Sequence, residues 1–199
     1  MNGNLQGNEE FQAVERKIQR HIERKLKPKR LKHTYGVAEE AVKLAEIYGA
    51  DMKKARLAAL FHDMFRSEDN GELNRLIKEY GLPNTFINNP NLSHGKIAAA
   101  SMKKDFGIED EELLNAVAYH TTGRENMSLL EKIIFLADAI EPGRDYPGVQ
   151  EARRLAYTDL DRACLNVMDR SIEFIKSKGD ELDMDTVRAR DYLKEKLNL

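Results

Sequence analysis

Asp51-Met52-Lys53-Lys54-Ala55-Arg56-Leu57-Ala58-Ala59-Leu60-Phe61-His62-Asp63 is the stretch from which the rest of the chain is read. Asp51 has the side chain of a helix N-cap, and Met52 to Phe61 behind it is rich in Ala and Leu. Such a helix packs closely in the middle of a bundle. It runs straight into a His-Asp pair. Neighbours on a helix point about 100° apart. His62 and Asp63 therefore meet one ion only where the helix ends or turns irregular, and Met64-Phe65-Arg66-Ser67-Glu68-Asp69 reads as that ending. An imidazole beside a carboxylate at the end of a buried helix suits a divalent transition metal.

Helical periodicity continues on both sides. Phe11, Val14, Ile18, Ile22 and Leu26 form one apolar face, with charges between them, up to Pro28. A second helix is expected from about Arg30 to Tyr48, stopped by Gly49, and a short one from Glu72 to Tyr80. Asn84 to Leu92 reads as a loop, and Ser93 as the cap of a helix from His94 to Phe106. Further helices are expected at Asp110 to Tyr119, Ser128 to Ile140, Asp159 to Lys178 and Asp185 to Leu197, with a loop from Glu141 to Gly148. There is no alternating strand pattern, internal repeat or low-complexity tract. The fold class expected is all-α, a helical bundle in a single domain over residues 9–199, behind a polar tail at 1–8 that reads as mobile.

Composition bounds the function. Of 199 residues, 41% are hydrophobic and 33% charged, which suits one well-packed domain. A net charge of −2 argues against binding duplex nucleic acid through a broad basic face. No apolar run approaches the roughly 20 residues of a membrane span, and the N-terminus lacks the pattern of a signal peptide. The one cysteine, Cys164, lies among Leu160, Ala163, Val167 and Met168 at helical spacing. It reads as a buried thiol, and its solitude fits a reducing, cytoplasmic compartment.

The chemistry rests on few residues. Of five histidines, His33, His62, His94 and His120 stand near the starts or ends of expected helices. His21, beside Arg20 and Glu23, reads as solvated. Any one of the four, taken singly, would ordinarily be a core histidine. Asp138 lies in Ile133-Ile134-Phe135-Leu136-Ala137-Asp138-Ala139-Ile140, almost wholly apolar. A carboxylate there must be paired, capped or metal-bound, because burying an unpaired charge is costly.

An early helical His, then a His-Asp pair, then a distant helical Asp resembles the HD superfamily of metal-dependent phosphohydrolases. Arg30-Leu31-Lys32-His33-Thr34, Leu92-Ser93-His94-Gly95, Tyr119-His120-Thr121-Thr122-Gly123 and Asp138-Ala139-Ile140-Glu141-Pro142-Gly143-Arg144 are similar to its YqeK branch of bacterial symmetrical diadenosine tetraphosphate hydrolases. The resemblance runs from about residue 20 to the C-terminus. It implies that His33, His62, Asp63 and Asp138 hold one divalent metal ion. It further implies that His94 and His120 hold a second with Asp63 bridging, that both are typically iron, and that a metal-bridged hydroxide cleaves the substrate into two ADP. Ligand type alone admits Mn, Co or Zn as well. Another HD-type nucleotide phosphohydrolase or nucleotidase is the alternative.

The family often carries a Lys shortly after its His-Asp pair, where this chain has Arg66. Arg66 keeps the charge and can grip a phosphate bidentately, but it does not readily give up a proton. It is expected, with Asp63, to serve catalysis. Substrate contacts are expected from Arg30, Lys96, Thr122, Gly123, Arg124, Arg144, Asp145 and Tyr146. The partner is then a nucleotide, with no membrane and no duplex nucleic acid. Oligomeric state stays open, and a homodimer is allowed.

Overall fold

A computed structural model describes residues 8–199. Expectations for residues 1–7 fall outside it, and Asn8 already belongs to the first helix. The described chain forms α1 (Asn8–Lys25), α2 (Pro28–Tyr48), α3 (Met52–Phe61), α4 (Asn70–Tyr80), a short 3-10 turn (Asn84–Phe86), α5 (Pro90–Phe106), α6 (Glu111–Ala118), α7 (Leu129–Ile140), α8 (Val149–Ala156), α9 (Leu160–Lys178) and α10 (Met184–Leu197). No strand occurs among the described residues, so the all-α expectation stands.

Helix α3 is the axis. Ala55, Leu57, Ala58, Ala59, Leu60 and Phe61 are fully buried in it. Ala38, Ala41 and Ala45 of α2 are equally buried, and these small side chains let α2 and α3 lie close together. A three-residue turn folds α3 back on α2, with Gly49 at φ 71° closing α2. α7 packs on α2 and α3, α6 on α3 and α7, and α5 on α6. Five elements thereby bring their ends or inner faces to one place beside α3. Helices α9 and α10 pack against each other, and α9 also touches α7.

Aspartates set five of the ten helix starts among the described residues. Asp51, Asp69, Asp110, Asp159 and Asp183 each accept a hydrogen bond from a backbone N–H in the first turn. Helix α7 opens with a capping box between Ser128 and Glu131. Three starts differ from expectation. That of α4 lies at Asn70 behind its Asp69 cap, two residues before Glu72. Pro28 opens α2, because a residue without an N–H costs nothing in a first turn. Helix α5 begins at Pro90 for the same reason, with Asn89 as its cap, so Ser93 and His94 lie inside it. Helix α8 was not expected at all. It is eight residues long and starts at Gly148, φ 93°, without a side-chain cap.

Candidate metal centre

Helix α3 ends at Phe61, and His62 to Ser67 follow as successive tight turns, in which the N–H of Met64 reaches Phe61 and that of Arg66 reaches Asp63. This tightening turns His62 and Asp63, adjacent in sequence, toward one centre. His33 comes from the second turn of α2, His94 from α5, His120 from the turn after α6, and Asp138 from the last turn of α7. All six residues that the resemblance implied as ligands meet there.

Asp63 divides the cluster in two. Its Oδ2 lies 3.5 Å from Nε2 of both His33 and His62. Its Oδ1 lies 3.4 Å from Nε2 of His94 and 3.9 Å from Nε2 of His120. Asp138 completes the first half, with Oδ1 3.0 Å from His33 Nε2 and 3.8 Å from His62 Nε2. His33, His62 and Asp138 present one set of atoms close enough to share a cation, and His62, Asp63 and His120 present another.

The imidazoles are oriented from behind. His62 Nδ1 lies 2.6 Å from the carbonyl of Ala59, His94 Nδ1 2.9 Å from that of Pro90, and His120 Nδ1 2.8 Å from that of Val117. His33 Nδ1 faces Glu141 Oε1 at 3.1 Å. A ring that donates its Nδ1 proton to an oxygen presents a bare lone pair at Nε2, the arrangement that prepares a histidine for a metal. The Nε2 atoms of His33 and His62 are buried without a hydrogen-bond partner. Those of His94 and His120 face each other at 3.1 Å. Two lone pairs at that separation require a proton or a cation between them. Two nitrogens each about 2.1 Å from one ion stand about 3.0–3.4 Å apart, so the donor set fits a divalent cation.

Electrostatics agree. Burial, together with the neighbouring His62 and His94 imidazoles, pushes His120 down to about 3, so this ring is neutral at working pH. Burial would lower His62 too, but the carboxylates of Asp63 and Asp138 outweigh it and raise its pKa above the usual imidazole value. Burial opposes ionisation of Asp63, yet the neighbouring His62 imidazole holds its carboxyl well below the usual carboxylate range.

The positions expected to touch substrate fall into two groups. Arg30 places Nη1 2.6 Å from Asp63 Oδ2, and Arg144 places Nη2 2.5 Å from Asp138 Oδ1. Asp138 is thus both a candidate ligand and paired with an arginine. Both guanidiniums are about one-third exposed at the rim. Asp145 is exposed in the loop after α7, and the neighbouring Tyr146 has a buried hydroxyl with no partner. The second group is engaged within the protein. Arg124 makes a two-pronged ion pair with the buried Glu131. The Thr122 hydroxyl donates to the Gly123 carbonyl, and the Gly123 N–H donates to Tyr119. A Cβ at Gly123 would come within 2.6 Å of Met168, which accounts for this glycine by packing. Lys96 lies over the Tyr119 ring, 3.1 Å from its centroid, and burial lowers it to about 8. Since α5 starts at Pro90, Lys96 is beyond the first turn, where the helix dipole no longer favours an anion. Arg66 is half-buried and donates to Asn91 Oδ1 at 2.8 Å.

The sequence places Glu141 in a loop and within the family-like segment Asp138 to Arg144, with no role of its own. It is buried, 5% exposed, at the C-cap of α7. A signal existed: an acid at a helix C-terminus opposes the dipole and needs a reason to be there.

These features define a candidate HD-type metal centre on an all-α scaffold, and residues 30–143 match the HD domain family. The match spans more than half of the chain, which belongs to that family. HD domains are metal-dependent. Among its relatives are "Bis(5'-nucleosyl)-tetraphosphatase, symmetrical" of Halalkalibacterium halodurans, 44% identical over 82% of this chain and 88% of the relative, and the protein of the same name from Bacillus subtilis, 39% identical over 86% and 93%. A crystal structure described as that of a "predicted HD superfamily hydrolase involved in NAD metabolism" from Clostridium acetobutylicum is 43% identical. It superposes with a TM-score of 0.87 over 92% of this chain and 97% of that one.

Proposed function

We propose that this chain is a symmetrical bis(5'-nucleosyl)-tetraphosphatase that hydrolyses diadenosine tetraphosphate to two ADP. The single observation that carries the chemistry is the convergence of four imidazole Nε2 atoms on the two oxygens of Asp63, with each ring anchored at Nδ1. The names of relatives that align over most of both chains carry the substrate.

In this reading His33, His62, Asp63 and Asp138 hold one divalent cation, and Asp63, His94 and His120 hold a second. Iron is the metal proposed, with Mn, Co or Zn as chemically acceptable substitutes. Bound there, the pair would neutralise charge on the transferred phosphoryl group and make water more acidic. The protein supplies the rest. Asp63 keeps the two halves of the centre in register through its two oxygens. Arg30 and Arg144, already at the rim, can exchange part of their carboxylate pairing for phosphate oxygens and neutralise the tetraphosphate chain. Arg66, tethered to Asn91, would support phosphate charge without giving up a proton. Asp145 and Tyr146 lie next to Arg144 in the same loop and suit ribose or base contacts.

Water oxygen bonds to the phosphorus on one side of the central anhydride, and the bridging oxygen leaves with the other half, giving two ADP. A site that grips one nucleoside diphosphate and presents its terminal phosphorus to the centre yields that regiochemistry. The lone, buried Cys164 supports a reducing, cytoplasmic setting. No described helix is long and apolar enough to cross a membrane.

Product analysis tests the proposal. Incubation with diadenosine tetraphosphate should release ADP alone. Formation of ATP with AMP, or faster hydrolysis of mononucleotides than of the dinucleotide, would overturn the substrate assignment.

A further inference from the structure

Three of the four site histidines are anchored by their own segments. His62 and His120 use the carbonyls three residues back, which are free because α3 and α6 are ending there. His94 uses Pro90, in the first turn of its own helix. His33 is different. It sits well inside α2, and its Nδ1 partner is the carboxylate of Glu141, 108 residues away at the end of α7.

The surroundings of Glu141 are built to hold that carboxylate. Oε1 faces His33 Nδ1 at 3.1 Å, and Oε2 accepts the Gly143 N–H at 2.6 Å. A Cβ at Gly36 would stand 2.8 Å from Oε2, and one at Gly143 would stand 2.9 Å from Oε1. Both glycines therefore leave room for these oxygens. Behind the turn, Arg153 of α8 donates to the carbonyls of Ile140, Glu141 and Arg144, each at 2.9 Å. The short helix α8 thus fixes the turn that carries the acid.

We propose that Glu141 is a positioning residue for His33: it holds the ring in the Nδ1–H tautomer, with Nε2 aimed between Asp63 and Asp138, and so sets the affinity of that half of the centre for a divalent cation. This rests on the metal reading above. A carboxylate behind a ligand histidine fixes its tautomer, and loss of such a partner typically costs about 10–100-fold in metal affinity or activity.

Two variants of the full chain test it. Glu141→Gln keeps the shape but leaves one acceptor for two donors. Gly36→Ala alters the identity of no site side chain, yet its methyl pushes on Glu141 Oε2, while alanine favours the helix itself. Nitrogen-15 NMR of the histidine rings in chelator-treated protein reads the His33 tautomer. Titration with Mn2+ reads affinity without turnover. The expected result for both variants is a His33 signal shifted toward a mixture of tautomers. One Mn2+ site should be weakened about 10–100-fold and the other much less, with the metal-free melting temperature little changed. An unshifted His33 signal with both Mn2+ sites intact in either variant would overturn the proposal. The two readings fail separately. A wild-type chain that takes up no Mn2+ refutes the metal assignment, whereas a wild type that binds and a Glu141→Gln variant that binds equally well refute the role of Glu141.

Discussion

The two oxygens of Asp63 face different pairs of histidines, Oδ2 toward His33 and His62 and Oδ1 toward His94 and His120. Loss of this one carboxylate therefore disables both halves of the centre. Asp63→Ala and His62→Ala should nearly abolish turnover while far-ultraviolet circular dichroism stays helical; near-normal rates in metal-free buffer would refute the site. Arg66 touches Asn91 rather than the cluster, so Arg66→Ala should reduce kcat/KM less than either change. An equal loss would mean that Arg66 acts on the reacting atoms. Protons compete with metal at His62, whose pKa is raised above 6.5 by Asp63 and Asp138 despite burial. The raised value means that the metal-free fold keeps this proton above pH 6.5, and a cation must displace it. Mn2+ affinity should accordingly rise as pH rises above 6.5, with proton release visible in calorimetry across buffers of different ionisation heat. His120, held down to about 3, adds no such competition above that pH. His62, Asp63 and Asp138 stood out in the sequence because they sit in or against apolar helices, whereas His33, His94 and His120 joined the candidate set only through the family resemblance. Glu141 did not stand out, since its partner lies 108 positions away and no local pattern links them.

Element by element, the boundaries were read where side chains make them. Asp51, Asp159 and Ser128 announce α3, α9 and α7, and the structure puts each cap at that residue. The errors at α2, α5 and α8 are of two physical kinds. Proline can open a helix as readily as it ends one, which is why α2 and α5 begin earlier than expected. Helix α8 repeats its apolar positions for only two turns and lacks a side-chain cap, so its signal is too short to separate from a loop. Its contribution is tertiary: Arg153 secures the turn behind the site. At α7 the capping box invites a stability test. Ser128→Ala should cost about 1 kcal/mol in urea unfolding. Glu131→Ala should cost more, because Glu131 also receives the Arg124 guanidinium and the Ser128 N–H. Equal costs would mean that the buried ion pair adds nothing.

For the molecule as a whole, the centre exists only because helices distant in sequence share one core. Residue 33 and residue 138 meet across the α2–α7 interface, with α3 packed against both. Leu60 is fully buried in α3, two residues before His62. Leu60→Ala should lower stability by about 2–5 kcal/mol and loosen the site in proportion, seen as a fall in both melting temperature and metal occupancy. The fold class was legible because helical periodicity persists through the chain. The mutual packing of the helices was not, since ridge-and-groove contacts depend on three-dimensional neighbours that periodicity does not name. Anomalous X-ray diffraction from crystals of anaerobically purified protein, recorded on both sides of the iron absorption edge, tests the central claim most directly. The account predicts two peaks, one among His33, His62 and Asp138, the other beside His94 and His120, with Asp63 touching both. Peaks located elsewhere, or none at full occupancy of the crystal by active protein, would contradict it.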